Sequence, residues 1–475
     1  MREHSGACKP LLGVSTSGTN VNYNRGYSHV YKVSIFFFAF FLLYFYISPM
    51  YIPHHHLFWE ESTPGYLVYT SSCKISDMNP FDKAVRPYIR KKGPQRCPRF
   101  VIKVSNQILK YDETHPKYKK TSCCFREIHR DPQDPYKYNK NADWQIKFSP
   151  KCTTISKING ANMTSEFVKV ECEELDEGKV IKTSNFQASV FPPEQHSNLT
   201  RLKLEYWQQE KFSGSPSEMI KEEVPGRPPS VLIVGIDSIS RMHMYRSLPK
   251  TKLFLEENDF IEMKGYTKIG ENTFPNIMGV LAGMELNKYP CYNGSKYKVD
   301  SCPLIWKNYS RSNYVTAFLE DSPGLAIFNY LKTGFVEQPT DYYLRTLAVA
   351  YHGKLDHSRG FQGCVGGMSQ TDFMINYMRR FVERMGEQKV PYFLLSWFTS
   401  LAHDDFNALK PADTKYHDLL SDTVNDATYN GNNTIILFIS DHGYRFGSFR
   451  ETFLGYYEES LPFFYIRMPP ALKLS

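Results

Sequence analysis

Apolar residues are arranged in three different ways along this chain. From Val33 to Ile52, "VSIFFFAFFLLYFYISPMYI" runs without a charge, and about 20 such residues can cross a bilayer whose hydrocarbon layer is ~30 Å thick. Between residues 60 and 225 apolar and polar positions alternate only in short runs such as "SEFVKVECEEL", the pattern of half-buried strands. From Val231 onward the runs are short and unbroken: "VLIVGID", "YVTAFLED", "YFLLSWF", "TIILFISDHG" and "LPFFYIR". Segments of helical spacing lie between them, and in "TDFMINYMRRFVERMGE" Phe373, Tyr377, Phe381 and Met385 recur at every fourth position. Buried strands separated by helices predict an α/β fold, a mostly parallel sheet with helices on both faces.

These patterns divide the chain into a polar tail (1–32), a transmembrane anchor (33–52), a β-rich, disulfide-tied accessory domain (60–225) and an α/β domain (228–475). A Gly-, Pro- and Ser-rich linker, "KFSGSPSEMIKEEVPGRPPS", precedes the last. Arg2, Lys9, Arg25 and Lys32 lie before the apolar segment against Glu3 alone, and Glu60 and Glu61 follow it. By the positive-inside rule the tail is cytosolic and the remainder lumenal (Golgi or ER) or extracellular, as in a single-pass type II membrane protein. A cleaved signal peptide is the alternative, disfavoured by the long lead and the lack of a small-residue cleavage site.

Cysteine usage fits an oxidising compartment. Cys8 falls on the cytosolic side, while Cys73, Cys97, Cys123, Cys124, Cys152, Cys172, Cys291, Cys302 and Cys364 fall on the other. Cys291 and Cys302 flank a polar loop and are expected to bridge each other. Nine is odd, so one thiol is expected to be free or joined to a partner chain. Sequons at Asn162, Asn198, Asn293, Asn308 and Asn432 mark candidate glycosylation sites. With 41% hydrophobic and 22% charged residues, the 475-residue chain can build a large core. Its net charge of +8 is not gathered into a basic arm with stacking aromatics, so no nucleic-acid polymer is expected as a partner.

Chemistry-bearing residues sit where the unbroken runs end. Asp237 closes the first, Asp321 the second, and His403, Asp404 and Asp405 come soon after the third. Asp441 and His442 close the fourth. Carboxyl ends of strands in an open α/β sheet line one crevice, where ligands bind. Singly, Asp237 reads as a helix N-cap, Asp321 as a turn residue and His403 as a surface histidine. Together they point to a divalent-cation site (Zn, Mn, Mg or Ca, one or two ions) with carboxylate oxygen and imidazole nitrogen as ligands. In "YTKIGENTFPNIMGVLAGM" the pattern turns helical at Thr273, placing a hydroxyl among unpaired backbone N–H groups. Capping alone is one reading of Thr273; a nucleophile beside an anion-binding helix end is the other.

"VGIDS", "NTFPN" and "SDHG", in that order, resemble the alkaline-phosphatase superfamily, which includes sulfatases, nucleotide pyrophosphatase/phosphodiesterases and phosphoethanolamine transferases. The resemblance covers about residues 228 to 470. "SCCFREIHR", "PTDYYLR", "SWFTSLAHDD" and "SDHGYRFGSFR" are similar to an animal family of membrane or secreted proteins of unknown function within it. It implies that Asp237, Asp441 and His442 hold one metal ion, with Thr273 both ligand and nucleophile. His403 is implied as a catalytic residue, and Asp321, His403, Asp404 and Asp405 as ligands of a second metal or of substrate. The implied reaction is attack of Thr273 on a phosphate ester (of a glycan, a lipid head group or a nucleotide) and transfer to water or an acceptor.

Two departures bear on this. The Cys-x-Pro-x-Arg motif of sulfatases is absent, which favours phosphoryl chemistry. No histidine follows His442, and Arg445 and Arg450 are the candidate phosphate-binding cations in its place; a solvated basic loop is the plainer reading. The chain also stops at "RMPPALKLS", where the superfamily continues, so a C-terminally truncated domain is expected. A non-catalytic ectodomain with a binding role is the alternative to an enzyme. A Golgi glycosyltransferase would leave Thr273, Asp441 and His442 unexplained.

Overall fold

The computed structural model describes residues 65–134, 139–209, 227–283, 291, 299–355, 363–426, 429 and 431–473. The expected anchor Val33–Ile52, Cys8, Asn293 and most of the linker lie outside the described residues. Among these residues no helix is long and apolar enough to cross a membrane. The chain divides between Met78 and Asn79 into two units. In the first, β1 (Tyr66–Tyr69) and β2 (Lys74–Ser76) form an antiparallel hairpin.

The second unit begins with antiparallel sheets. Strands β3 (Ile102–Ser105), β4 (Ile108–Tyr111) and β8 (Ala161–Asn162) make one. The other runs β10 (Lys179–Ala188), β9 (Phe167–Asp176), β5 (Thr121–Arg130) and β6 (Ile146–Phe148), with β7 (Thr153–Thr154) beside β5. Asp176 pairs with Lys179, so β9 and β10 are joined by Glu177 and Gly178 alone. Both have positive φ, 46° and 80°, the two-residue turn whose twist matches that of the strands.

A seven-stranded sheet follows, in the order β12 (Ile261–Glu262), β19 (Phe464–Arg467), β18 (Thr434–Ile439), β11 (Ser230–Ile236), β17 (Tyr392–Phe398), β13 (Val315–Glu320) and β14 (Tyr342–Tyr343). From β18 to β14 all neighbours are parallel. Strands β19 and β12 form an antiparallel edge. Every residue of β11, β13 and β17 is buried, which is why these runs lack alternation. The Gln370–Glu387 helix buries Phe373, Tyr377, Phe381 and Met385, and the Ser369 hydroxyl caps its N-terminus at Asp372 N, 3.2 Å.

The antiparallel strands and the large sheet share one apolar core. Ile128, Phe167 and Phe186 belong to the same cluster as Leu232, Val234 and Leu394. Asp143 is a polar link between them. Its carboxylate accepts from Asn329 Nδ2 at 3.0 Å and Tyr343 Oη at 2.9 Å, and its Oδ1 from Arg130 at 3.1 Å.

Disulfides join Cys97 to Cys364, Cys123 to Cys172, Cys124 to Cys152 and, as expected, Cys291 to Cys302. Cys73 is also disulfide-bonded, and none of the described cysteines is free. The free thiol expected from the odd count is therefore not found among them.

Candidate metal centre and nucleophile

Strands β11 and β18 are neighbours in parallel register, with Gly235 opposite Ile439. Asp237 and Asp441–His442 therefore leave the sheet side by side. The turn after β11 places Ser238 in the left-handed region, φ 65°, which non-glycine residues rarely adopt. Three hydrogen bonds hold it there. Ser238 N donates to Asp441 Oδ1 at 3.0 Å, Ser238 Oγ to Asp237 Oδ1 at 2.7 Å, and Ile239 N to Ser440 Oγ at 2.9 Å. Gly443 closes the second turn, where a Cβ would stand 2.4 Å from the Glu458 carbonyl oxygen. Only glycine fits that approach.

Asp237, Asp441 and His442 are at most 1% exposed, and their ligand atoms all lie within 4.8 Å of one another. His442 Nδ1 donates to the Gly443 carbonyl at 2.8 Å, so in the neutral ring that binds metals Nε2 presents a lone pair. That lone pair faces Asp441 Oδ2 at 3.1 Å, and neither atom has a hydrogen-bond partner. Two buried acceptors facing each other repel unless a cation lies between them. Burial raises the Asp237 pKa, and the charge of Asp441 raises it further. The donor set of two carboxylate oxygens and one imidazole fits a divalent cation.

Thr273 begins the Thr273–Ala282 helix and donates from Oγ1 to Asp237 Oδ2 at 3.2 Å. Asn276 fixes the approach to it. Its Oδ1 accepts from Ile269 N at 2.8 Å and Gly270 N at 2.9 Å, and its Nδ2 donates to the Gly270 and Asn272 carbonyls, both at 2.9 Å. Asn272 occupies the N-cap but makes no side-chain cap bond. Its Oδ1 instead accepts from Arg445 at 2.6 Å, and Arg445 also donates to the Glu271 carbonyl.

The other expected site residues are placed differently. Arg450 pairs with Glu459, which also binds Lys268 at 2.6 Å. Asp321 accepts from Thr399 N, Ser400 N and Ser400 Oγ at 2.9, 3.1 and 2.6 Å, so both oxygens are used in shaping the turn after β17. His403 bonds Asp404 at 2.6 Å and packs on Phe446. Asp405 pairs with Lys92 and caps Asn407 N. These four do not assemble a second ligand group. The other group of three among the described residues, Cys124, Cys152 and Glu171, contains a disulfide and has no thiolate to offer.

Sequence reasoning missed Trp397 and Ser440. Gly235 lies opposite Trp397 in the β11–β17 pairing, and a Cβ there would fall 2.0 Å from the indole Cε3. The missing side chain lets the indole lie toward Asp237, whose charged form it favours, without a hydrogen bond of good geometry. A glycine inside a strand was the available signal. Ser440 Oγ donates to the Ile236 carbonyl at 2.6 Å and so ties the two strand ends together.

A search among curated proteins by sequence found no match. Solved structures similar to this chain include the lipoteichoic acid synthase LtaP from Listeria monocytogenes (13% identity, TM-score 0.36, 51% of this chain and 66% of that one). A protein in the alkaline phosphatase superfamily from Vibrio parahaemolyticus (16%, 0.34, 52% and 61%) is another. Phosphonate monoester hydrolase of Agrobacterium radiobacter (13%, 0.34, 51% and 68%) is a third. The chain spans just under two thirds of the length of the first of these. Residues 87–475 match the family described as "Protein of unknown function (DUF229)", and the chain belongs to that family.

Proposed function

We propose that the chain is a divalent-metal-dependent hydrolase or transferase of phosphate esters, with Thr273 as nucleophile. The observation that carries this reading is the facing pair Asp441 Oδ2 and His442 Nε2, 3.1 Å apart and buried without a donor, beside a threonine hydroxyl bonded to Asp237. Asp237, Asp441 and His442 would hold the cation. When bound, it supplies Lewis acidity that lowers the pKa of the Thr273 hydroxyl and offsets charge on the transferring group.

The chain's own residues do the rest. Asp237 orients Thr273 Oγ1. The Gly443 carbonyl holds His442 in the tautomer that leaves Nε2 free. Backbone N–H groups in the first turn after Thr273, which the Asn272 side chain does not cap, suit the oxygens of a phosphoryl group. Arg445 and Asn276 position the Thr273 turn. Thr273 standing where sulfatases carry their modified cysteine supports phosphate over sulfate esters. Attack by Thr273 Oγ1 forms a phosphothreonine as the ester P–O bond breaks and the substrate's alcohol leaves with the threonine proton. Water or an acceptor hydroxyl then takes the phosphoryl group and gives its proton back to Thr273 Oγ1. The reading includes a type II anchor at Val33–Ile52 and a site on the lumenal or extracellular side, supported by the flanking charges. A phosphate ester of a glycan, a lipid head group or a nucleotide is the substrate class.

A binding ectodomain without catalysis is the second reading. The engagement of Asp321, His403, Asp404 and Asp405 in local bonds favours it. Metal analysis of the purified full chain beside Asp441→Ala, with turnover of an aryl phosphodiester by the parent and Thr273→Ala, separates the two. About one equivalent of divalent metal lost in Asp441→Ala, with turnover lost in Thr273→Ala, is the expected result. Metal without turnover of phosphate mono- or diesters leaves the binding reading; a folded parent without metal removes the enzyme.

A further inference from the structure

A cavity of about 290 Å³ opens where β3 and β10 meet the Gln370–Glu387 helix. Its walls come from distant parts of the chain, residues 99–104 on one side and 366–380 on the other. The Cys97–Cys364 disulfide, at the start of both segments, ties them together. Gly366 and Gly367 have φ of 62° and 84°, and a Cβ on Gly367 would stand 2.9 Å from Phe100 N, so the wall is bare backbone at its closest approach.

The lining has one sign of charge. Arg99, Lys103 and Arg380 contribute, and no carboxylate lines the cavity among the described residues. Arg99 and Lys103 share a single acid, Asp112. On the helix, Arg379 pairs with Asp422 at 2.8 Å and Arg384 with Glu387 at 3.0 Å. Arg380 is exposed and has no ion pair among the described residues, with Glu383, one turn along the helix, the charge acting on it. An exposed guanidinium without an ion pair leaves its planar fork available to a planar anion. Phe100 and Phe373 add ring surface. A second cavity of about 160 Å³ shares Arg380 and Val104 and is lined by Ser105, Asn106 and Ser189, whose groups match sugar hydroxyls, and by Glu383 and Arg384, whose opposite charges suit a neutral sugar there.

We propose that this cavity is a binding site for an acidic saccharide unit: a sugar ring carrying a sulfate, phosphate or carboxylate, its anion on Arg380 and its ring against Phe100 and Phe373. The adjoining cavity takes the next sugar. The site is separate from the metal centre, so it stands whether or not that centre is catalytic.

Calorimetric titration of the full chain with a sulfated disaccharide, the same disaccharide without sulfate, and inorganic sulfate tests this. The sulfated sugar is expected to bind about tenfold or more tighter than either control, because one charge-assisted contact contributes that much. The affinity is expected to fall by a similar factor in Arg380→Gln and in Asn376→Trp, which fills the cavity without changing its charge. Binding unchanged in Asp441→Ala is also expected. Equal affinity for the unsulfated sugar, inorganic sulfate binding as tightly as the sulfated sugar, or undiminished binding in both cavity variants overturns the proposal. So does loss of binding in Asp441→Ala, which would place the sugar at the metal centre.

Discussion

His243 should make the protein acid-sensitive by an amount that can be worked out. It lies in the Arg241–Ser247 helix, 1% exposed, and neither ring nitrogen has a hydrogen-bond partner. Its ring stacks on Phe406 with centroids 4.4 Å apart. Arg246, bound to Glu458 at 2.7 Å, adds like charge on the same helix. Burial first and Arg246 second push the His243 pKa down from 6.5 to about 3. The unfolded chain therefore binds a proton below pH 6.5 that the folded chain refuses until about pH 3. The contribution of His243 is fully present above pH 6.5 and is lost as pH falls through that window. At 1.36 kcal/mol per pH unit once the unfolded group is titrated, lowering the pH from 6.5 to about 4.5 removes on the order of 2 kcal/mol. Urea unfolding at about pH 7 and pH 4.5, on the parent and on His243→Leu, measures it. The parent should lose about 2 to 3 kcal/mol more than the variant; equal losses in the two proteins would refute the reasoning.

Other outcomes are as specific. Gly235→Ala drives a methyl against the Trp397 indole and should destabilise by about 1–3 kcal/mol or more, read as a lowered midpoint in urea. Asp143→Ala leaves Arg130 and the buried Arg345 without their carboxylate and should cost about 3–5 kcal/mol by the same measurement. Asn276→Ala removes four hydrogen bonds from the turn before Thr273. It should lower turnover far more than it lowers the unfolding midpoint. Asn162, Asn198, Asn308 and Asn432 are all exposed, so protein made through the secretory pathway should shift in mass on treatment with an N-glycosidase.

Much of the large sheet was readable because strands buried on both faces need continuous apolar runs. Val231–Ile236, Tyr392–Phe398 and Thr434–Ile439 could be little else once helical spacing appeared between them. Direction was harder to read. "LPFFYIR" looks like its neighbours, yet β19 runs antiparallel, because nothing in a four-residue strand records which way its connection returns. Strand-end logic brought Asp237, Asp441 and His442 to one edge of the sheet, and the superfamily resemblance implied that these three share a cation. Asp321 followed the same logic and came out differently: it follows β13, and its carboxylate accepts from the amides of Thr399 and Ser400 and from the Ser400 hydroxyl. Arg445, a candidate phosphate contact or part of a solvated basic loop by sequence, donates to Asn272 Oδ1. Such choices depend on which loop packs nearest, and separations of 78 and 173 residues leave no local trace of that. Asp143 shows the same limit, since its partners lie as far along the chain as Tyr343.

The reach of Asp143 and the shared core have a consequence for how such a chain can change over generations. Two regions joined only by a linker can be exchanged, duplicated or lost one at a time. Here the antiparallel strands supply Ile128, Phe167 and Phe186 to the packing under the large sheet and the counter-charge to the buried Arg345. Deleting them would uncover apolar surface and strand a cation in the interior, so a lineage that kept Asp237, Asp441 and His442 in place would have to keep these strands as well. Descent should therefore treat residues 79–475 as one heritable block, and recombination within it should leave few viable offspring.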